Sequence, residues 1–188
     1  MKTNGISRRA FAAGALASTS VLAACGNGIG SRGGTLIDAR VDATLQEMYR
    51  SYPNTVQLSQ KANGMLVMPL VTEAGLGFGG AYGRGALRVD NATVDYYSVV
   101  KGSGGLQIGA QQFAHVLFFM TQEALTEFRR GPGWAAGADL EYVVSDQGDS
   151  VAADTTTALS PVLAAVFARA GLRIGATLEG TKYTRIIP

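Results

Sequence analysis

The residues with the clearest chemical potential stand near the beginning of the chain. Leu22-Ala23-Ala24-Cys25 has the pattern of a lipobox, in which small residues admit a signal peptidase and the cysteine thiol takes a diacylglyceryl group. Arg8 and Arg9 indicate a twin-arginine export signal. The uncharged run that follows them is too short to cross a bilayer as a stable helix. The sequence therefore predicts export and lipidation of Cys25.

These signals predict three segments. Residues 1–24 are a signal peptide, residues 25–34 carry the lipidated cysteine and a flexible tether, and residues 35–188 form one domain. Two or more acyl chains hold a protein stably on a membrane. Gly26, rather than Asp, follows the cysteine, so we expect the protein to be anchored in the outer membrane of a bacterial cell envelope, facing the periplasm. An ordinary transmembrane anchor is the alternative.

A glycine-rich stretch invites a nucleotide-binding interpretation. Gly75, Gly77 and Gly80 satisfy G-x-G-x-x-G after an apolar run, but that fingerprint requires a helix to open on it. Here the glycines continue to Gly85, and β-branched and aromatic residues follow. Glycine within a strand marks a bulge, a bend or a close approach of another backbone. The stretch therefore predicts bent strands, with Phe78 and Tyr82 packed over the gaps.

The side-chain inventory argues against catalysis. His115 is the single histidine, no G-x-S-x-G elbow occurs, and Cys25 is the single cysteine. We expect His115 to be a structural histidine. The turn with Asp146 and Asp149 holds too few ligands for calcium, so no metal site and no cofactor are predicted. A chain that is 47% hydrophobic and 16% charged also argues against nucleic-acid binding.

The apolar spacing predicts an N-terminal amphipathic helix that is capped by Thr35 and ends near Ser51, before Pro53. Its apolar stripe packs either on the domain core or on a membrane surface, and its mixed polar face favours the core. A second short helix runs to Lys61. A third helix follows Thr121, which is a suitable N-cap, and ends after two arginines at Gly131.

The remaining segments read as strands. They are separated by glycines or by Asp90-Asn91, and residues 113–120 are apolar enough to be buried on both faces. We also expect a strand over residues 138–145 and a last pair within 171–187, whereas residues 161–170 fit a helix or a strand. The sequence thus predicts an α+β domain.

In this middle and C-terminal region the chain resembles the SYLF family, a lipid- and actin-associated domain of endocytic proteins with lipidated bacterial members. The resemblance runs from about residue 54 to residue 188. It is carried by the order and spacing of the blocks Lys61–Pro69, Tyr82–Gly85, Gly105–Gln111, Phe118–Leu125 and Leu178–Lys182. It implies a curved, largely antiparallel sheet with a few packed helices. It also implies binding of lipid, with a preference for anionic or phosphoinositide-like headgroups.

Five basic residues are candidates for a headgroup-binding patch, with scattered surface charge as the alternative. They are Arg84, Arg88, Lys101, Lys182 and Arg185. Removal of residues 1–24 leaves thirteen basic against fourteen acidic side chains, so attraction to anionic lipid must come from a local patch. The leading hypothesis is a membrane-anchored, non-catalytic lipid-binding lipoprotein. A structural or adaptor lipoprotein that binds an envelope protein is the alternative, and an enzyme is a third.

Overall fold

The computed structural model describes residues 31–131, 133–136, 141–144, 160–170, 178 and 180–188. The predicted export signal at Arg8 and Arg9, the predicted lipidation site Cys25 and the turn with Asp146 and Asp149 lie outside the described residues. So does most of the first strand of the C-terminal pair expected within residues 171–187.

The described ranges form three helices and a six-stranded sheet. In chain order, the elements are α1 (Gly33–Ser51), α2 (Asn54–Lys61), β1 (Gly64–Val89), β2 (Ala92–Phe119), α3 (Gln122–Arg130), β3 (Trp134–Ala135), β4 (Glu141–Val144), β5 (Val162–Ala170) and β6 (Lys182–Ile186). The sheet is curled, and every strand pair is antiparallel except β4 with β5. The predicted α+β class with a curved, largely antiparallel sheet is confirmed. The ambiguous segment 161–170 is a strand.

A long hairpin of β1 and β2 organises the sheet. Its turn is Asp90-Asn91, where both residues have positive φ (49° and 63°), as a two-residue hairpin turn requires. β1 is 26 residues long. A straight strand of that length would span about 86 Å, whereas a domain of this size is about 40 Å across. The hairpin must therefore bend, and one of its register shifts lies between Leu76 and Phe78, near the start of the glycine-rich stretch.

The glycines allow two segments of β1 to approach each other. A Cβ atom on Gly83 would lie 2.6 Å from the carbonyl oxygen of Leu70, and one on Gly85 would lie 2.6 Å from Sδ of Met68 and closer still to the backbone of Val67. Bent strands, rather than a helix, occupy the stretch, as predicted. The expectation that Tyr82 packs over a gap is wrong, because its side chain is 56% exposed. The side chain of Phe78 lies outside the described residues.

Two clusters of buried side chains lie on opposite faces of the sheet. Alternate residues of β1 divide between them, with Leu66 and Met68 in one cluster and Met65 and Val67 in the other. α3 covers the first cluster, which we name the α3-side core. α1 covers the second, the α1-side core. Residues 113–119 are all buried, which confirms the prediction of a strand covered on both faces.

α1 packs on the domain core. Ile37, Val41 and Met48 are buried in the α1-side core, so the favoured alternative for this amphipathic helix is the observed one. The predicted N-cap at Thr35 is wrong, because the helix already begins at Gly33 and has no side-chain cap. The helix ends at Ser51, as predicted. In the described part of the chain, no helix combines the length and apolar character needed to cross a membrane.

Candidate functional site

The register of β1, β2 and β6 decides which of the five predicted basic residues share a surface. Val100 lies opposite both Tyr82 and Lys182, and Arg84 is two residues from Tyr82. Because side chains alternate along a strand and opposite residues share a face, Arg84 and Lys182 lie on one face of the sheet. Lys101 and Arg185 lie on the other face by the same rule. The five residues therefore do not form one patch, because the register separates Arg84 and Lys182 from Lys101 and Arg185.

Arg88 holds α1 against the tip of the hairpin. Its guanidinium lies 2.5 Å from Oδ1 of Asp42 and 4.0 Å from Oδ1 of Asp38, and Nη1 donates to the carbonyl oxygen of Asn91 at 3.0 Å. The Arg88 side chain is only 12% exposed. Two carboxylates and a backbone carbonyl thus occupy this arginine, which gives it a structural role.

Asp38 extends the same contact to β2. It accepts hydrogen bonds from Oγ1 of Thr93 at 2.7 Å and from the hydroxyl of Tyr96 at 2.9 Å. Burial and the neighbouring Asp38 carboxylate raise the pKa of Tyr96, because both disfavour the phenolate. We name this group of side chains the helix latch. It comprises Asp38, Asp42, Arg88, Thr93 and Tyr96.

Arg185, which lies on β6, belongs to a different cluster of side chains at the C-terminal end of α3. Its Nε lies 3.5 Å from Oδ1 of Asp95, and its Nη2 donates to the carbonyl oxygen of Arg129 at 2.7 Å. Arg129 shares the same carboxylate, with Nε 3.1 Å from Oδ2 of Asp95. Burial raises the pKa of Tyr97, whose hydroxyl lies 3.5 Å from Nη2 of Arg185, although the guanidinium acts in the opposite direction.

Arg84 and Lys182 lie among exposed apolar side chains. Tyr82 is 56% exposed and Val100 is 52% exposed, and these two residues face each other across β1 and β2. Isolated exposed apolar residues are ordinary, but a group rimmed by basic residues is typical of an interaction surface. We name this surface the apolar–basic face. It comprises Leu36, Arg40, Tyr82, Arg84, Val100 and Lys182.

A cavity of about 220 Å³ opens on this face, between the first turns of α1 and β1. Leu36, which is 60% exposed, lies at its wall together with Tyr82. Among the described residues that line it, the charged side chains are those of Arg40 and Arg84. A second cavity shares Arg40 with the first and continues along α1. Guanidinium groups at an apolar-walled opening can bind an anionic group whose remainder is apolar.

Sequence reasoning missed four members of this face. Leu36 falls within the apolar spacing of α1 and Arg40 on its mixed polar face, so the sequence pattern distinguishes neither residue. Tyr82 was expected to be buried, and Val100 was not singled out. One usable signal was present, because Tyr82 and Arg84 alternate with glycines and must therefore share a face in a strand.

The other candidate residue, His115, lies in the core. It is fully buried, and its Nε2 is 2.8 Å from the hydroxyl of Tyr183. The rings of Phe113 and Tyr183 flank it. His115 thus packs within the core, which is the environment expected of a structural histidine. Among the described residues, no three His, Cys, Asp or Glu side chains cluster as metal ligands would.

Comparison with known families gives one match. Residues 100–185 match the model of the Ysc84 family, whose description is Las17-binding protein actin regulator. This range contains Val100, Lys182, Arg129 and Arg185, and it leaves out Asp95, α1, α2 and β1. No curated protein matches the chain.

Proposed function

Because residues 100–185 belong to the Ysc84 (SYLF) family, we propose that the protein is an exported bacterial lipoprotein whose domain binds anionic lipid and catalyses no reaction. In this proposal Cys25 carries the acyl chains, and Arg8 and Arg9 direct export through the twin-arginine route. The anchored domain faces the periplasm from the outer membrane. The family match itself supports the coarser statement, a binding domain for lipid or protein.

The observation that carries the lipid proposal is the apolar–basic face. Each Lys or Arg close to an anionic bilayer contributes about 1 kcal/mol, so Arg40, Arg84 and Lys182 together contribute about 3 kcal/mol. Leu36, Tyr82 and Val100 add the transfer of exposed apolar surface into the interface. The total is comparable with a single acyl chain, which binds with about 5 kcal/mol. A single acyl chain binds a membrane reversibly. Binding of similar strength through the apolar–basic face would likewise be reversible, as a second contact beside a permanent anchor can be.

The position of the first residues of the domain would allow the acylated Cys25 and the apolar–basic face to contact the same membrane leaflet. Ser31 is fixed to the C-terminus by a 2.9 Å hydrogen bond from Oγ to the carbonyl oxygen of Pro188, and Gly33 lines the cavity. Cys25 precedes Ser31 by six residues, which reach at most about 20 Å. A lipidated Cys25 would therefore keep the apolar–basic face within reach of the leaflet that holds the anchor, at a high effective concentration.

Liposome flotation of a chain that comprises residues 26–188 tests this proposal. All described contacts lie within residues 31–188, so this chain keeps them. We expect it to float with anionic vesicles at low salt, to float less at high salt and to stay in solution with neutral vesicles. A chain that stays in solution with every lipid would contradict the proposal. For the anchor, the mature protein should lose its acyl mass on Cys25→Ser, and an unchanged mass would contradict lipidation.

The second candidate function is an adaptor lipoprotein that touches lipid only through Cys25. The description of the matched family, a Las17-binding actin regulator, favours it because that description names protein partners. The same flotation experiment separates the two functions. An adaptor would not float without its acyl chains, and variants of the apolar–basic face would not change its membrane attachment.

A further inference from the structure

A second arginine-rich cavity lies at the C-terminal end of α3, away from the apolar–basic face. It has a volume of about 220 Å³. The residues that line it are Gln122, Leu125, Thr126, Arg129, Arg130 and Arg185. Three of the six are arginines. They come from two elements that are far apart in sequence, since Arg185 lies on β6.

One carboxylate balances part of this charge. Asp95 is shared by the Nε atoms of Arg129 and Arg185. Glu123 and Glu127 line an adjoining cavity on α3, which shares Gln122, Thr126 and Arg130 with this one. Basic residues at the end of a helix are favoured by the helix dipole, which accounts for Arg129 and Arg130 but not for an arginine supplied by a strand. Among the described residues that line the cavity, three are cations and none is an anion.

Two of the guanidiniums are held in place before any ligand arrives. Arg185 is fixed by the carbonyl oxygen of Arg129 and by Asp95, and its guanidinium carbon lies 6.0 Å from the centre of the Tyr97 ring. An arginine carries five N–H donors, so contacts through Nε to Asp95 leave further donors on both side chains. Preorganised, paired guanidiniums match the geometry and charge of phosphate oxygens.

We propose that this cavity binds the phosphate group of a soluble phosphorylated compound. A soluble source fits because no large exposed apolar side chain of the described residues lines the cavity or lies on α3. Of the five such side chains among the described residues, Leu36, Tyr82 and Val100 lie on the apolar–basic face, where they can enter a bilayer, whereas Val94 and Ile187 lie on β2 and after β6, outside the lining of this cavity. α3 and α1 also cover opposite faces of the sheet. The cavity therefore remains open to solvent when the apolar–basic face is on a membrane.

Pyrophosphate is a suitable probe, and backbone amide NMR of residues 26–188 at low ionic strength can locate its binding. We expect saturable shifts at Gln122, Thr126, Arg129, Arg130 and Arg185. Arg185→Gln and Arg130→Gln should each weaken binding about tenfold, the value of one hydrogen bond to a charged group. Arg130→Gln leaves the contacts among Arg185, Arg129 and Asp95 in place, so its result stands even if Arg185→Gln disturbs α3.

The matched control is Arg50→Gln, which removes the same charge from an exposed site on α1, where Arg50 pairs with Glu47. An equal loss of affinity in this control would overturn the proposal, because binding would then follow net charge alone. Shifts that map elsewhere, or no saturable shifts, would also overturn it. Anionic vesicles decide the source of the phosphate. Pyrophosphate should still bind to the vesicle-bound protein, whereas displacement by vesicles together with reduced flotation of Arg130→Gln would identify a lipid headgroup site instead.

Discussion

The two faces of the segment Tyr82–Gly85 of β1 have different roles. On one face, Gly83 and Gly85 lie against backbone from earlier in the same strand, with no room for a side chain. On the other face, Tyr82 and Arg84 line the cavity that opens to solvent. This contrast explains why the segment alternates glycine with large residues. The close approach that bends the sheet restricts one face, and the other face stays free for recognition.

On the face of β1 that bears Tyr82 and Arg84, two arginines have different surroundings. Arg84 and Arg88 are four residues apart and point to the same side, yet Arg88 is held in the helix latch by Asp38 and Asp42. Arg84 lies beside Arg40 in the lining of the cavity. The charge of a residue therefore does not assign its role. Its neighbours from other elements do.

The largest effect is expected on the inward face. In Gly85→Ala, the new Cβ would collide with backbone at Val67 and with Sδ of Met68, so the strand must move. We expect the free energy of unfolding to fall by about 3 kcal/mol or more, as in severe overpacking. Urea denaturation measures it. Gly102→Ala is the control, since its Cβ would meet no atom within 4 Å. Equal effects of the two substitutions would show that the close approach does not matter.

A smaller loss of stability is expected from the helix latch. Arg88→Ala leaves Asp42 and Asp38 without their cation and should lower the free energy of unfolding by about 1–3 kcal/mol. The fraction of folded protein that binds anionic vesicles should stay the same. Arg50→Ala, which breaks an exposed ion pair on the same helix, should cost less than about 1 kcal/mol. Weaker vesicle binding by folded Arg88→Ala would place Arg88 in the lipid-contact surface after all.

In contrast to Arg88→Ala, the substitution Arg84→Gln should weaken vesicle binding and leave stability nearly unchanged. The loss of one basic residue near an anionic bilayer costs about 1 kcal/mol, so vesicle affinity should fall about fivefold. The free energy of unfolding should change by less than about 1 kcal/mol, as for most partly exposed positions. Vesicle titration and urea denaturation of one preparation measure both. Arg130→Gln removes the same charge from the α3 side and serves as control. An equal loss of vesicle affinity in this control would show that binding does not depend on the apolar–basic face.

The smallest effect concerns Tyr96 in the helix latch. Its pKa is raised above 10 in the folded protein, so folding favours the neutral phenol. This contribution to stability is complete below pH 10 and is lost as the pH rises through the folded-state pKa. Between about pH 9 and pH 11, Tyr96→Phe should therefore lose stability less steeply than the parent protein. The exposed Tyr82→Phe serves as control. Parallel curves for Tyr96→Phe and the parent would contradict the raised pKa of Tyr96, which burial and the Asp38 carboxylate cause.

Local signals made part of this fold predictable. Thr121 caps α3 by accepting a hydrogen bond from the backbone N–H of Ala124 at 3.2 Å, and the chain ends the helix at Gly131. The hairpin turn at Asp90-Asn91 was also predictable, because both residues tolerate positive φ. These features depend on residues within one turn of each other, so the sequence shows them directly.

The surface patch depended on pairing over long separations. Lys101 falls on the opposite face from Lys182 because Val100, not Lys101, lies opposite Lys182 in the register. A shift of one residue would have reversed that result. Likewise, the partner of Arg88 is Asp42, 46 residues earlier in the chain. No pattern in the sequence specifies such contacts, so the five basic residues could be chosen by charge but not sorted by role.

The most direct test of the lipid-contact surface uses an environment-sensitive fluorophore. The chain's single cysteine is Cys25, so residues 26–188 contain none and can be labelled at one introduced cysteine. Val100→Cys places the label on the apolar–basic face, and Glu123→Cys places it on the exposed surface of α3. With anionic vesicles, we predict a blue-shifted, brighter emission from position 100 and no change at position 123. A shift at position 123 alone, or at neither position, would contradict the account.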